Sequence, residues 1–155
     1  MASEVANIAI NATMTASKDS GLGTVKDAVG LSGLGMNKTG GTTRYWHSDS
    51  ALAAPERLDL NDGTLKDAFG DAIAFVTLYA IYIKNNSGGT CQIGAADHPV
   101  DIFGAAVADT LELVTGGTFL YLNPTGLTLT PATTDALTID ASAGAYDVII
   151  VGATA

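Results

Sequence analysis

Alternation of apolar and polar residues is the main pattern in this chain, and it predicts β-strands rather than helices. In the segment 5–16, Ile8 and Ile10 share one side with other apolar residues, and the opposite side is mostly polar. This period is typical of a strand with one buried face. The closing run 146–152 is instead almost continuously apolar. We therefore expect it to be a central strand of its sheet.

The segment 75–84 alternates over a longer stretch. Residues of one parity are apolar and are expected to face a core: Phe75, Tyr79, Ile81 and Ile83. Tyr82 and Lys84 have the other parity and are expected to face outward. At most a short helical turn is expected near 24–29, and one short helical or irregular turn at 65–70, because no longer run has the helical period.

Turn-forming residues divide the rest of the chain into short runs. Turns are predicted at 61–63, 85–89, 97–99 and 123–126. The diglycine Gly116-Gly117 is expected to close a hairpin between the runs on either side of it, because both glycines can adopt positive φ. Short strands with turns every 8–12 residues or so predict an all-β fold. The expected form is an antiparallel β-sandwich or a jelly-roll-like arrangement.

The N-terminal third differs in composition from the rest. Residues 17–43 are rich in Gly, Ser, Thr, Lys and Asn, and the close spacing of the glycines favours an extended connection. We therefore expect a strand and a Gly-rich connection at 1–50, a candidate partner-binding arm, and a β-sandwich core at 51–155. Together they amount to one domain, because a chain of 155 residues buries enough surface for a single core.

Charge is distributed unevenly along the chain. All seven basic residues lie at or before Lys84, and the 71 residues that follow carry seven acids. The net charge of −9 and the absence of a basic run predict a protein that does not bind nucleic acid. The mixed charge of the first half makes it the better candidate for contact with a partner.

The single cysteine, Cys91, excludes an intrachain disulfide and is expected to fill a small apolar position in a strand. The N-terminal residues 1–4 lack a basic region followed by an apolar stretch, so we expect no secretory signal. No apolar run approaches the ~18–20 residues of a membrane-spanning helix. We therefore expect no membrane partner.

Residues that could carry chemistry are few and poorly arranged. His47, Ser48 and Asp49 include the residue types of a hydrolytic triad, but neighbours on a strand point to alternate faces. His98 and Asp101 supply two possible zinc ligands, fewer than the three or four that such a site needs. We therefore expect no catalytic residues, no zinc site and no enzymatic activity.

Asp59, Asn61 and Asp62 superficially resemble part of a calcium loop. Gly63 occupies a position where that loop needs a ligand, so Asp59 and Asp62 are expected to cap and shape a turn instead. No cofactor is expected, and whether the acids elsewhere hold a calcium ion stays open.

Exposed aromatic and apolar residues are better candidates for function. Tyr45 and Trp46 are adjacent on a predicted strand, so at least one of them must face away from the domain's core or fill a second core. The first strand could pair with an open sheet edge of a partner, where main-chain hydrogen bonds provide affinity, or it could pair within its own domain. The candidate partner contacts are Ile8, Ile10, Arg44, Tyr45, Trp46, Tyr82 and Lys84.

Several segments together resemble small virion-associated proteins of tailed bacteriophages. They are 58–60, 65–70, 78–85, 116–122, 133–139 and 146–152. The resemblance covers about residues 42–152 and consists of core and turn patterns, so it assigns no functional residue. It implies a virion structural protein without enzymatic activity. The role we favour is head decoration, in which a protein binds the outside of the assembled capsid and stabilises subunit junctions.

The resemblance implies further expectations. The partner would be the major capsid protein, the chain would form a homo-oligomer, a trimer or dimer, and it would reach the capsid exterior after synthesis in the bacterial cytoplasm. A tail, neck or fibre component would share the same features. A carbohydrate-binding β-sandwich module would instead use Tyr45, Trp46 and Tyr82, and a jelly-roll enzyme is disfavoured because the chain has only two histidines.

Overall fold

In the computed structural model, the described backbone covers residues 4–20, 23–40, 43–50, 55–66, 70–103, 109–141 and 144–155. Side chains are described from Trp46 onward within these ranges, except those at 49 and 50. This part of the chain forms antiparallel sheets and contains no helix, which confirms the predicted all-β class.

The strands are β1 Glu4–Ser20, β2 Gly23–Gly40, β3 Thr43–Ser50, β4 Glu56–Asp59, β5 Leu65–Lys66, β6 Ala72–Ile73, β7 Phe75–Asn85, β8 Cys91–Gly94, β9 Thr110–Leu113, β10 Thr118–Thr128, β11 Ala136–Ala141 and β12 Tyr146–Thr154. Two four-stranded sheets contain most of the later strands. The first sheet has the order β10-β7-β12-β3, and the second sheet has the order β4-β11-β8-β9.

β12 lies between β7 and β3 in the first sheet, as its nearly continuous apolar sequence predicts. Val148 pairs with Ile83 on β7 and with Ser48 on β3. Val148 and Ile150 are fully buried, whereas the residue between them, Ile149, is exposed. The central strand therefore has one buried face and one face open to solvent.

The second sheet follows the same alternation. Leu137 of β11 pairs with Leu58 of β4, and Ile139 pairs with Ile93 of β8. All four side chains are buried, and the intervening Thr138 is only half-buried. β4 likewise places Leu58 inward between the less buried Arg57 and Asp59.

Both sheets contribute to one hydrophobic core. Its members include Ile81, Ile83 and Ile150 from the first sheet and Ile93 and Ile139 from the second. The sheets are also joined by a hydrogen bond in which the hydroxyl of the buried Tyr146 on β12 donates to the Glu56 carboxylate on β4. The half-buried Trp46 packs against this same core from β3.

The predicted hairpin around the diglycine is wrong, although the turn itself is present. β9 and β10 belong to different sheets and do not pair. Gly116 has a φ of 75° and its N–H donates to the Asn85 carbonyl at 2.9 Å, while the Asn85 N–H donates to the Gly117 carbonyl at 2.9 Å. The diglycine turn is therefore hydrogen-bonded to Asn85 at the end of β7.

β1 and β2 form a two-stranded antiparallel ribbon, from Glu4 opposite Gly40 to Ser20 opposite Gly23. Residues 24–29, for which the sequence predicts an extended connection with at most a short helical turn, lie in β2. Most of the turn predicted at 65–70 lies outside the described residues, and Leu65 and Lys66 at its start form β5, which pairs with β6, with Leu65 opposite Ile73. β3, which belongs by number to the predicted arm 1–50, pairs with β12.

One side chain of β7 departs from the predicted parity. Leu78 is fully buried in the core, whereas Tyr79 is half-buried in a small separate cluster with Ala80 and Val151. The pairing of β7 with β12 shifts between Val151 and Gly152, and such an irregularity resets which residues share a face. A Cβ at Gly152 would overlap the Thr77 carbonyl oxygen, so glycine suits this close approach.

Candidate functional site

A continuous row of side chains crosses the outer face of the first sheet, and we call it the outer row. It consists of Leu120 on β10, Tyr82 on β7, Ile149 on β12 and His47 on β3. Each member is the direct cross-strand partner of the next, a relation that places Cβ atoms ~4.5–5.5 Å apart. Leu120 is 36% exposed and Ile149 is 41% exposed, and Tyr82 between them is half-buried.

The period of the strands explains why the outer row faces solvent. Ile81 and Ile83 flank Tyr82 and are fully buried, so the side chain between them must point to the opposite face. The same holds for Ile149 between Val148 and Ile150. Single exposed apolar residues are ordinary in proteins, but a row of apolar and aromatic side chains across three adjacent strands is typical of a contact surface.

Charged residues lie beside the outer row. Lys84 on β7 pairs directly with Asp147 on β12, and both side chains are half-buried. Asp147, Tyr82, Ile149 and His47 line a shallow cleft of about 360 Å³. The face therefore combines an aromatic ring, aliphatic side chains and one charge of each sign, which suits adhesion to another surface.

The predicted contact residues fall in different places. Tyr82 and Lys84 lie on the outer face, as their parity predicts. Trp46 packs against the core, so its ring is not available as a fully open surface. Arg44 and Tyr45 lie opposite Gly152 and Val151 in the backbone pairing.

Four other predicted contacts lie outside the described side chains. They are Arg44 and Tyr45 on β3, and Ile8 and Ile10 on β1. In the backbone pairing, Ile8 is opposite Met36 and Ile10 is opposite Leu34. Their roles as partner contacts stay predictions.

Three members of the outer row are absent from the contact residues predicted from the sequence: Ile149, Leu120 and His47. Ile149 is hidden within a continuous apolar run, in which the alternation of polar residues that marks an outer face is absent. Leu120 stands between two aromatic residues, so alternation with polar residues does not mark its outer position either. The parity of Val148 and Ile150, once β12 is placed against a core, is the signal that identifies Ile149.

A second polar cleft lies beside the second sheet, and we call it the acidic cleft. It measures about 380 Å³, and its polar lining includes Arg57, Asp59, Asn61, Asp62, His98 and Asp135. An ion pair joins Arg57 Nη1 to Asp59 Oδ2 at 3.4 Å, with the side chains 45% and 21% exposed. Surface pairs of this kind contribute little to stability.

The predicted turn roles of Asp59 and Asp62 are confirmed. Asp59 Oδ1 accepts the Asn61 N–H at 3.2 Å. Asp62 Oδ1 accepts both the N–H and the hydroxyl of Thr64, at 2.8 and 2.6 Å. These carboxylates therefore satisfy donors of their own turn.

Asp135 differs from these two. It is 4% exposed, and its Oδ2 accepts the Ala132 N–H at 2.7 Å, while its Oδ1 has no hydrogen-bond partner. Among the side chains that the structure describes, this is the one buried polar atom without a partner.

The described side chains form neither a metal-ligand cluster nor the predicted triad arrangement. No three His, Cys, Asp or Glu side chains there are grouped so that they could hold a metal ion. His47 lies in the exposed outer row, whereas Ser48 pairs with the buried Val148, so the two adjacent residues point to opposite faces. His98 and Asp101 are both exposed.

Cys91 is fully buried on β8, opposite Ala141 and Leu113. Burial, and secondly the negative charge of Asp140, raise the pKa of the Cys91 thiol. A thiol is a nucleophile only as its thiolate, so this cysteine is a small core residue. Its predicted position in a strand is confirmed.

The structure thus defines an all-β protein whose first sheet carries exposed aliphatic residues and a half-buried tyrosine on its outer face. In the portion of the chain that the structure covers, there is no helix long and apolar enough to cross a membrane. No protein family, curated protein or solved structure matches the chain.

Proposed function

We propose that this chain is a structural protein of a tailed-bacteriophage virion, a decoration or cement protein that binds the outside of the assembled head and stabilises junctions between capsid subunits. The outer row is the observation that carries this proposal. It offers Leu120, Tyr82 and Ile149 to a partner on a face that the protein's own core does not use.

The architecture supports a role in adhesion. In this proposal the two four-stranded sheets pack face to face as a β-sandwich of jelly-roll-like form, with their shared core between them. Such a body is rigid without disulfides, and the backbone of its contact strands is fixed by pairing within the sheet. A rigid contact surface loses little conformational entropy when it binds.

The N-terminal ribbon supplies a second candidate contact. β1 pairs with β2, and in this proposal the ribbon acts as an arm that adds to an open sheet edge of the major capsid protein. Ile8 and Ile10 on β1, and Arg44 and Tyr45 on β3, would belong to this contact. The proposal includes a cyclic homo-oligomer, a trimer or dimer, at the capsid exterior after synthesis in the bacterial cytoplasm, with no enzymatic activity and no nucleic acid, membrane or cofactor as partner.

The test is a binding and stability experiment with preassembled phage heads that lack the protein. We expect the purified chain to co-sediment with the heads and to raise the temperature at which they disassemble. Tyr82→Ala should weaken binding at least tenfold, because aromatic side chains at the centre of a contact carry much of its energy. Gln92→Ala, an exposed position on β8 of the second sheet, is the matched control and should bind like the wild type.

Heads that keep their disassembly temperature at saturating protein, with no protein in the pellet, would show that head decoration is wrong. A tail, neck or fibre component would instead appear at another place on the particle when native virions are labelled with an antibody and viewed by negative-stain microscopy.

Carbohydrate binding is a second candidate function, because Tyr82, His47 and Asp147 line one shallow cleft. An aromatic ring flanked by polar groups is suited to stacking against a sugar while hydrogen bonding to its hydroxyls. This candidate predicts a signal on a glycan array that Tyr82→Ala removes. Trp46→Ala is a poor probe, because Trp46 packs against the core.

A further inference from the structure

The acidic cleft contains a carboxylate that the fold leaves incompletely satisfied. Asp135 is nearly fully buried, and its Oδ1 has no hydrogen-bond partner. Burying a carboxylate oxygen without a donor costs free energy, and most buried polar atoms in folded proteins avoid this cost. Oδ1 can therefore still accept a hydrogen bond that the described residues do not supply.

The side chains around Asp135 determine whether a cation or an anion suits the acidic cleft. The lining of the cleft holds three carboxylates, Asp59, Asp62 and Asp135, against the Arg57 guanidinium and the His98 imidazole. Arg57 is already paired with Asp59. The remaining acids favour a positively charged group.

The arrangement suits an organic cation better than a metal ion. No three acidic, histidine or cysteine side chains of the described residues come together as metal ligands, so a coordination shell is not available there. A guanidinium carries five N–H donors in a planar fork and can bond to carboxylates that lie apart from one another. Such a group would give Asp135 Oδ1 the donor that it lacks.

We propose that the acidic cleft binds a guanidinium group, the side chain of an arginine presented by a partner protein, with Asp135 Oδ1 as the acceptor at its base. The site lies beside the second sheet, whereas the outer row lies on the first. The proposal therefore does not depend on head decoration or on the outer row.

The test is a titration followed by two-dimensional amide NMR. The probe is blocked arginine, N-acetylarginine methylamide, and the matched control is blocked citrulline, which has the same shape without the charge. We expect saturable shifts of the Asn61, Ala132 and Asp135 amide signals with arginine and none with citrulline. Blocked lysine should bind more weakly, because its ammonium cannot form the planar fork.

Three variants make the test specific to the cleft. Asp135→Asn should weaken arginine binding at least tenfold, and Asp62→Asn, at an exposed turn, should weaken it about threefold. Glu112→Gln on β9, outside the cleft, should bind like the wild type. If Asp135→Asn fails to fold, the Asp62→Asn and Glu112→Gln pair still decides the question.

Several results would overturn the proposal. They are shifts of equal size with citrulline, no shifts with arginine, and full binding by the two cleft variants. Shifts at the same amides on adding calcium chloride alone would identify a metal site instead. Binding of agmatine without binding of blocked arginine would show that the ligand is a small free molecule rather than a protein side chain.

Discussion

The outer faces of the two sheets differ, although both sheets are built from the same alternation. The first sheet presents Leu120, Tyr82 and Ile149 in one cross-strand row. The corresponding face of the second sheet carries polar groups, with Asp140 opposite Gln92 and Gln92 opposite Glu112. Burial within the core explains neither face, and the apolar side chains of the first sheet are the basis of the contact that we propose.

The largest expected effect is a difference in the free energy of unfolding between variants on the two faces of β12. Ile150→Ala should lower the free energy of unfolding by about 2–5 kcal/mol, because Ile150 is fully buried and its removal leaves a cavity. Ile149→Ala, at the neighbouring exposed position, should change it by less than about 1 kcal/mol. Urea unfolding followed by circular dichroism measures both. Equal losses for the two variants would mean that Ile149 is a structural residue and that the outer row is not a free surface.

A somewhat smaller effect should follow from Asn85, which fixes the end of β7. Its Nδ2 donates to the carbonyls of Gly89 and Leu113 at 2.8 and 2.9 Å, and its Oδ1 accepts the N–H and hydroxyl of Ser87. Asn85→Ala should cost about 2–4 kcal/mol of stability, because several buried groups lose their partners. The exposed Asn86→Ala is the control and should cost little. Thermal unfolding of the two variants checks this, and similar midpoints would show that water replaces the Asn85 network.

The smallest effect should come from Cys91 on the inner face of the second sheet. Since the pKa of its thiol is raised in the folded protein, the neutral form is favoured there. This contribution is complete below the pKa of the unfolded thiol, about 8.5, and is lost as the pH rises through the folded pKa. Between pH 7.5 and 9.5 the wild type should therefore lose more stability than Cys91→Ala. Parallel losses in urea titrations at the two pH values would contradict the raised pKa.

The sequence predicted burial parity better than strand partners. The apolar run 146–152 correctly placed β12 inside its sheet, and the alternation around Tyr82 gave the correct faces. Parity depends on local order, which the sequence contains. The parity prediction failed at Tyr79, because the register of β7 against β12 shifts there and resets the alternation.

Contacts between distant residues could not be predicted in the same way. The diglycine at 116 and 117 has the sequence of a hairpin turn, but its bonds to Asn85 direct β10 into the other sheet. Asp135 is one of several acids in an acidic chain, and only the folded structure shows that one of its oxygens is buried without a partner. The outer row likewise exists only once four separate strands are aligned.

A cryo-EM map of heads decorated with this protein tests the central claim most directly, because it shows which sheet faces the shell. We predict that Tyr82 and Ile149 lie in the contact with capsid subunits, while Gln92 and Glu112 of the second sheet face solvent. A map in which the outer row faces solvent and the second sheet lies against the shell, or in which the protein is absent from the head, would contradict the account.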